Sequence, residues 1–154
     1  MMDKKKIKIL LVDDEPDILE FMTYNLSNEG YKVYTAVNGE EAIEKAKSKS
    51  PNLILLDVMM PVMDGVEACE NLRKIPKLGE KLIIVFLTAR SEDYTQVAGL
   101  EAGADDYITK PVKIKVLISK VKSLLRRVSD GKESSKIIEA GSLVVNREEY
   151  KIIY

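Results

Sequence analysis

At 154 residues the chain is long enough for one well-buried domain with some left over. Its 24 basic and 25 acidic side chains leave a formal charge of −1, without a global bias toward nucleic acid or an anionic membrane. It has no histidine and a single cysteine, which removes Ser-His and Cys-His nucleophile pairs, the commonest zinc ligand and any internal disulfide framework.

The first apolar run, Ile7–Val12, stops abruptly at the acids of VDDEPD. Neither it nor the later runs LILL and LIIVFL could span a bilayer, and no cleavage site follows Lys4–Lys6, so a soluble, cytoplasmic protein is expected. Ile18, Leu19, Met22 and Leu26 then recur at helical spacing, with Gly30 as the stop. A second run, Lys32–Ala36, precedes a helix EEAIEKAKSKS whose start carries the capping-box spacing of Asn38 and Glu41. The third run, Leu53–Leu56, closes on Asp57. Asp64–Arg73 reads as a third helix stopped by Pro76, with Cys69 inside it as a small apolar packing residue. Leu82–Leu87 closes on Thr88, and Ser91–Ala102 reads as a fourth helix ending near Gly103. Asp106–Thr109 leads directly into Lys110. The fifth helix carries a stripe of Ile114, Leu117, Ile118, Val121, Leu124 and Leu125, with Lys113, Lys115, Lys122 and Arg126 mostly off it.

Five alternations of strand and helix give an α/β domain, a doubly wound (βα)5 parallel sheet covered on both faces, over residues 5–128. The polar stretch SDGKESSK, 129–136, reads as a linker. Residues 137–154 read as a β-rich tail of three short strands, Ile137–Glu139, Leu143–Val145 and Tyr150–Tyr154, too short to bury a core alone.

In open parallel sheets the ligand site lies beyond the carboxyl ends of the strands. Asp13, Asp14, Asp57, Thr88 and Lys110 all fall there. A carboxylate cluster with a lysine opposite suits a hard cation such as Mg2+. An ionised aspartate needs no general base to attack phosphorus, and the metal, Lys110 and the Thr88 hydroxyl would neutralise the transferring phosphoryl group. Taken singly, several of these residues have a plainer reading: Asp14 as the cap of the first helix, Thr88 as a loop hydroxyl on the backbone, Lys110 as a solvated lysine. Asp57 has no helix to cap before Asp64.

The segments VDDEP, LLDVMMPVMDG, LTAR and GLEAGADDYITKP occur in the order and spacing of the receiver domain of bacterial response regulators, which residues 7–128 resemble. The resemblance implies a CheY-like strand order, 2-1-3-4-5, with Asp57 as phosphoacceptor. Asp13, Asp14, Asp57 and the Met59 backbone carbonyl would hold Mg2+ or another divalent cation such as Mn2+. Thr88 and Lys110 would contact the phosphoryl oxygens, and Lys110–Pro111 would be a cis peptide. The phosphoryl group would come from a sensor histidine kinase, making the chain a signalling switch rather than an enzyme in the usual sense. Thr88 would turn to the phosphate and the Tyr107 ring would fill the space it leaves. Met59 and Arg90, which flank the approach of water, would set the lifetime of the phosphate.

GADDYITKP, the RR at the end of the fifth helix and I-x-x-G-x-L-x-V-N in the tail resemble the OmpR/PhoB subfamily of transcription regulators. The tail then corresponds to the first strands of a truncated winged-helix domain, and DNA binding is expected only of a full-length protein. The subfamily dimerises through helix 4, strand 5 and helix 5 with cross-subunit ion pairs. Here Gln96 and Val116 replace both members of one such pair, Val112 replaces the phenylalanine of KPF, and Lys120 stands where arginine is usual, leaving an Asp106–Lys120 pair. Other readings fit less well. A stand-alone CheY-like receiver acting on protein partners does not explain the tail. A haloacid-dehalogenase-type phosphatase needs D-x-D where this chain has Asp57-Val58-Met59, and an FMN carrier would not place DDEPD against a phosphate.

Overall fold

The aliphatic, β-branched runs become strands because each can bury both of its faces, and only a sheet with helices on both sides allows that. The computed structural model describes residues 7–60, 62–89 and 102–138, with side chains as far as 127. The strands are β1 (Lys8–Val12), β2 (Lys32–Ala36), β3 (Leu53–Asp57), β4 (Ile83–Thr88) and β5 (Asp106–Thr109). They form one parallel sheet in the order β2-β1-β3-β4-β5, as expected. Every residue of the central strands β3 and β4 is buried, whereas the edge strand β2 exposes Lys32.

On one face, Leu10, Val12, Ile54, Leu56, Ile84 and Phe86 form a single apolar cluster with Ala42 and Ala46 of α2 (Gly39–Lys49) and Ala68, Cys69 and Leu72 of α3 (Gly65–Arg73). Strand alternation turns Ile9, Leu11, Leu53, Leu55 and Leu87 to the opposite face. There α1 (Pro16–Asn28) lies along β1 and β2 and buries Met22 and Leu26, the 3.6-period residues of its sequence.

Local chemistry sets the helix ends. Asn38 accepts the Glu41 N–H at 2.9 Å while Glu41 accepts the Val37 N–H at 2.7 Å, a reciprocal cap close to the one the spacing anticipates. Asp64 caps α3 through the Glu67 N–H at 2.9 Å. Asp14 caps nothing: α1 starts from Glu15 with Pro16 in its first turn and no side-chain cap. Gly30, at φ 98, closes α1 in the left-handed region.

One helix, α4 (Leu78–Lys81), is a single turn that the sequence reading passed over, too short to show a period. The helix expected over 91–102 lies outside the described residues but for Ala102, and of the tail expected as strands over 137–154 only Ile137 and Ile138 are described: they close the fifth helix instead of opening the strand expected at Ile137–Glu139. The fifth helix, α5 (Ile114–Ile138), runs on through 129–136, the stretch read as a linker, whose backbone is helical. That stretch contains no proline, and its one glycine, Gly131, costs a propagating helix only about 1 kcal/mol. Leu117, Val121, Leu124 and Leu125 are buried along α5, and Lys113, Lys115, Lys122 and Arg126 are exposed, as the stripe requires.

At the amino ends of β4 and β5, Arg73 at the end of α3 gathers acceptors from three segments. Its Nε donates to the Gly103 carbonyl at 2.8 Å, its Nη1 to the carbonyls of Gly79 and Leu82, and its Nη2 to Asp105 Oδ2 at 2.8 Å. The same Asp105 oxygen accepts the Ile84 N–H at 2.8 Å.

Candidate functional site

Strand register builds the site. Val12, Leu56, Phe86 and Tyr107 are aligned across β1, β3, β4 and β5. The next residues along β1 and β3 are Asp13 and Asp57, so two carboxylates emerge side by side from strands 44 residues apart in alignment (Val12 with Leu56). One row further, Thr88 pairs with Thr109, and the Lys110 N–H donates to the Thr88 carbonyl at 2.6 Å. The sheet therefore brings Asp13, Asp57, Thr88 and Lys110 to one end, with Asp14 beside them.

Asp13, Asp57 and Thr88 are the buried polar side chains among the described residues, at 1%, 5% and 5% exposure, while Asp14 is exposed. Carboxylate oxygens of Asp13, Asp14 and Asp57 lie within 4.8 Å of one another, close enough to hold a metal ion. Lys110 Nζ stands 3.0 Å from Asp13 Oδ2, 3.5 Å from Asp57 Oδ2 and 4.0 Å from Glu15 Oε1. The remaining oxygens are oriented by the backbone: Asp13 Oδ1 accepts the Glu15 N–H at 2.9 Å and Asp57 Oδ1 the Met59 N–H at 3.3 Å.

Negative charge exceeds positive here. Burial, and then the charge of Asp13, push the Asp57 carboxyl up to about 6, against the opposing pull of Lys110 and the Met59 N–H. Burial alone would lower Lys110, but its hydrogen bond to Asp13 and the charges of Asp57, Asp13 and Glu15 outweigh that and hold it above the ordinary lysine value. A hard cation ringed by oxygens would relieve the surplus, so the donor set fits Mg2+.

The loop from β3 to α3 is closed at its base. The Gly65 N–H donates to the Val58 carbonyl at 2.8 Å, and a Cβ on Gly65 would run into the Asp57 carbonyl oxygen. Only glycine allows α3 to start this close to the acceptor strand. Met59 and Val62 of the same loop are exposed, and Val62 holds φ at 71, a left-handed conformation that a β-branched residue rarely adopts. Lys110–Pro111 is cis, as the resemblance implies.

The remaining expected residues lie off this centre. Tyr107, Asp106 and Lys120 meet at β5 and α5, where Lys120 Nζ is 3.2 Å from Asp106 Oδ1, and Val116 is 44% exposed nearby. With Lys110 and Lys113, the residues Tyr107, Val116 and Lys120 line a hollow of about 480 Å3. Gln96 and Arg90 lie outside the described residues. The sequence reading missed Glu15 as a third acid against Lys110 and Gly65 as the brace behind Asp57. Both stand inside quoted motifs, but only geometry separates them from solvated neighbours.

A model of the response regulator receiver domain matches residues 9–122, well over half of the chain. The chain belongs to the response regulator receiver family. Among its relatives are the alkaline phosphatase synthesis transcriptional regulatory protein PhoP of Bacillus subtilis, 47% identical over 132 residues, which are 84% of this chain and 53% of that protein. The transcriptional regulatory protein AfsQ1 of Streptomyces coelicolor is 40% identical over 139 residues, 90% of this chain and 59% of that one. Both are regulators of the OmpR/PhoB type, and this receiver chain spans between half and three-fifths of their length. Among solved structures, the CheY-like receiver domain protein from Methanospirillum hungatei superposes with a TM-score of 0.76 at 34% identity, covering 81% of this chain and 98% of that one. CheY4 of Vibrio cholerae does so at 0.73 and 31%, covering 76% and 97%. Among the described residues, no helix of the receiver is long and apolar enough to cross a membrane.

Proposed function

We propose that this receiver is a phosphorylation switch whose acceptor is Asp57, supplied by the phosphohistidine of a sensor histidine kinase. The observation that carries the reading is the single lysine, Lys110, set between Asp13 and Asp57 at the carboxyl ends of β1 and β3. A carboxylate oxygen of Asp57 attacks phosphorus, the P–N bond to the donor breaks, and the departing imidazole nitrogen takes its proton from solvent. Asp13, Asp14, Asp57 and the Met59 carbonyl would hold Mg2+, which supplies charge neutralisation at the phosphoryl oxygens when bound. Lys110 neutralises a further oxygen and Thr88 donates its hydroxyl to another. Asp57 must be ionised to attack; without metal its carboxyl keeps its proton up to about 6, and a bound cation would favour the ionised form.

Thr88 and Tyr107 would carry the change outward to a face comprising Gln96, Asp106, Val116 and Lys120, through which the phosphorylated receiver dimerises. In a full-length regulator of the OmpR/PhoB type that dimer would control DNA binding in the cytoplasm. The test is incubation with Mg2+ and a small phosphodonor, with and without Asp57→Asn, followed by intact mass and oligomeric state. A phosphoryl adduct that needs both Asp57 and Mg2+, with monomer passing to dimer, is expected. No adduct with any donor overturns the switch, and an adduct without dimerisation moves the output to the CheY-like mode of binding other proteins.

A further inference from the structure

The Asp106–Lys120 pair does more than join β5 to α5, because among the described residues every hydrogen-bonding or ring contact seen for it beyond itself falls on Tyr107. Asp106 Oδ1 accepts the Tyr107 N–H at 2.8 Å. Lys120 Nζ donates to the Tyr107 carbonyl at 3.1 Å and to Asp106 Oδ1 at 3.2 Å, and it stands 5.6 Å from the centre of the Tyr107 ring. β5 is an edge strand, so both main-chain groups of Tyr107 take partners from outside the ladder. Capping a free sheet edge would account for the two hydrogen bonds. It does not require the ammonium to sit over the ring, where a cation is attracted by the ring's negative face.

We infer that Lys120 is a positioning residue for the Tyr107 side chain: it holds the ring out against α5 in the resting chain, and so sets how readily the ring leaves for the Thr88 side. The inference rests on the reading of Thr88 and Tyr107 as partners in the switch. A ring that swings inward gives up the cation, so the ammonium biases the equilibrium outward. A cation–π contact at a half-exposed site corresponds to about a two- to fivefold bias. Since ring position and acceptance at Asp57 are linked, weakening the outward hold raises the resting fraction of the competent state. The same linkage runs in reverse. An acidic group docking on this face and drawing Lys120 away from Asp106 and the ring would favour acceptance at Asp57.

The test uses the whole 154-residue chain with ring-labelled tyrosine, comparing wild type with Lys120→Gln, Lys120→Met and Lys120→Arg. Lys120→Gln keeps a donor for the Tyr107 carbonyl but loses the charge; Lys120→Arg keeps both. The expected result is that the Tyr107 ring resonances of Lys120→Gln and Lys120→Met move toward those of the phosphorylated wild type. The rate of adduct formation with a small phosphodonor should rise about two- to fivefold, and Lys120→Arg should restore both. Unmoved ring resonances in either neutral variant, with the chain folded by circular dichroism, overturn the inference. Ring resonances that move without a change in rate keep Lys120 as the tether and sink the switch reading beneath it.

Discussion

The two ends of this sheet place charge under opposite rules. At the amino ends of β4 and β5, one guanidinium, Arg73, meets three backbone carbonyls and the Asp105 carboxylate. At the carboxyl ends, one ammonium, Lys110, faces Asp13, Asp57 and Glu15, with Asp14 alongside. The first end is satisfied from within and asks for no ligand. The second leaves Asp57 burdened by burial and by Asp13, a cost that the fold itself does not relieve. A polar cluster complete without outside help holds structure; one left short of positive charge invites a cation or a chemical event.

That contrast can be broken from either side. The largest effect is expected at the satisfied end, where Arg73→Met strands the Gly103, Gly79 and Leu82 carbonyls and the Asp105 carboxylate. Denaturant unfolding should show a loss on the order of 3 kcal/mol, with the phosphoryl adduct still forming at low temperature. At the unsatisfied end the sign reverses: Asp57→Asn should stabilise the metal-free chain by about 2 kcal/mol near pH 7.

The sign follows from linkage. Asp57 in the folded chain keeps its proton up to about 6, whereas the unfolded chain loses it near 3.8, so wild-type stability falls as pH rises between those values and then levels. The advantage of Asp57→Asn should therefore be absent at pH 3 and grow to a plateau above pH 6, as read by urea midpoints. A gain independent of pH would mean that charge at Asp57 is not its source. Saturating Mg2+ should erase most of the gain by stabilising wild type alone. The smallest effect belongs to Val62, whose left-handed backbone Asn tolerates better; Val62→Asn should add about 1 kcal/mol to thermal stability.

Much of this was legible in the chain. The gathering of Asp13, Asp57, Thr88 and Lys110 follows from apolar runs that each end in a polar group, the buried stripe of α5 from its helical spacing, and the strand order from the resemblance to receiver domains. What escaped has a common physical cause. Arg73 bonds to Gly79, Leu82 and Gly103 through their carbonyls, which every residue type carries, so no sequence pattern announces those contacts. The burial of Asp13 against the exposure of Asp14 depends on which way the strand end turns. Helix through 129–136 depends on propagation from the buried part of α5, which local composition does not record.

The alignment of Val12 with Leu56 has a further consequence. Strand side chains alternate with a period of two, so a slip of one residue between β1 and β3 would send one of the two acids to the wrong face and separate it from Lys110. A chain paired out of step could still bury leucines and isoleucines, since both faces of these strands are apolar. It could not assemble the acid–lysine–acid cluster. Under the proposed switch, chemical competence at Asp57 would thus act as a proofreading signal: only molecules whose strands have found the right partner residue would accept a phosphoryl group, and misaligned ones would stay silent.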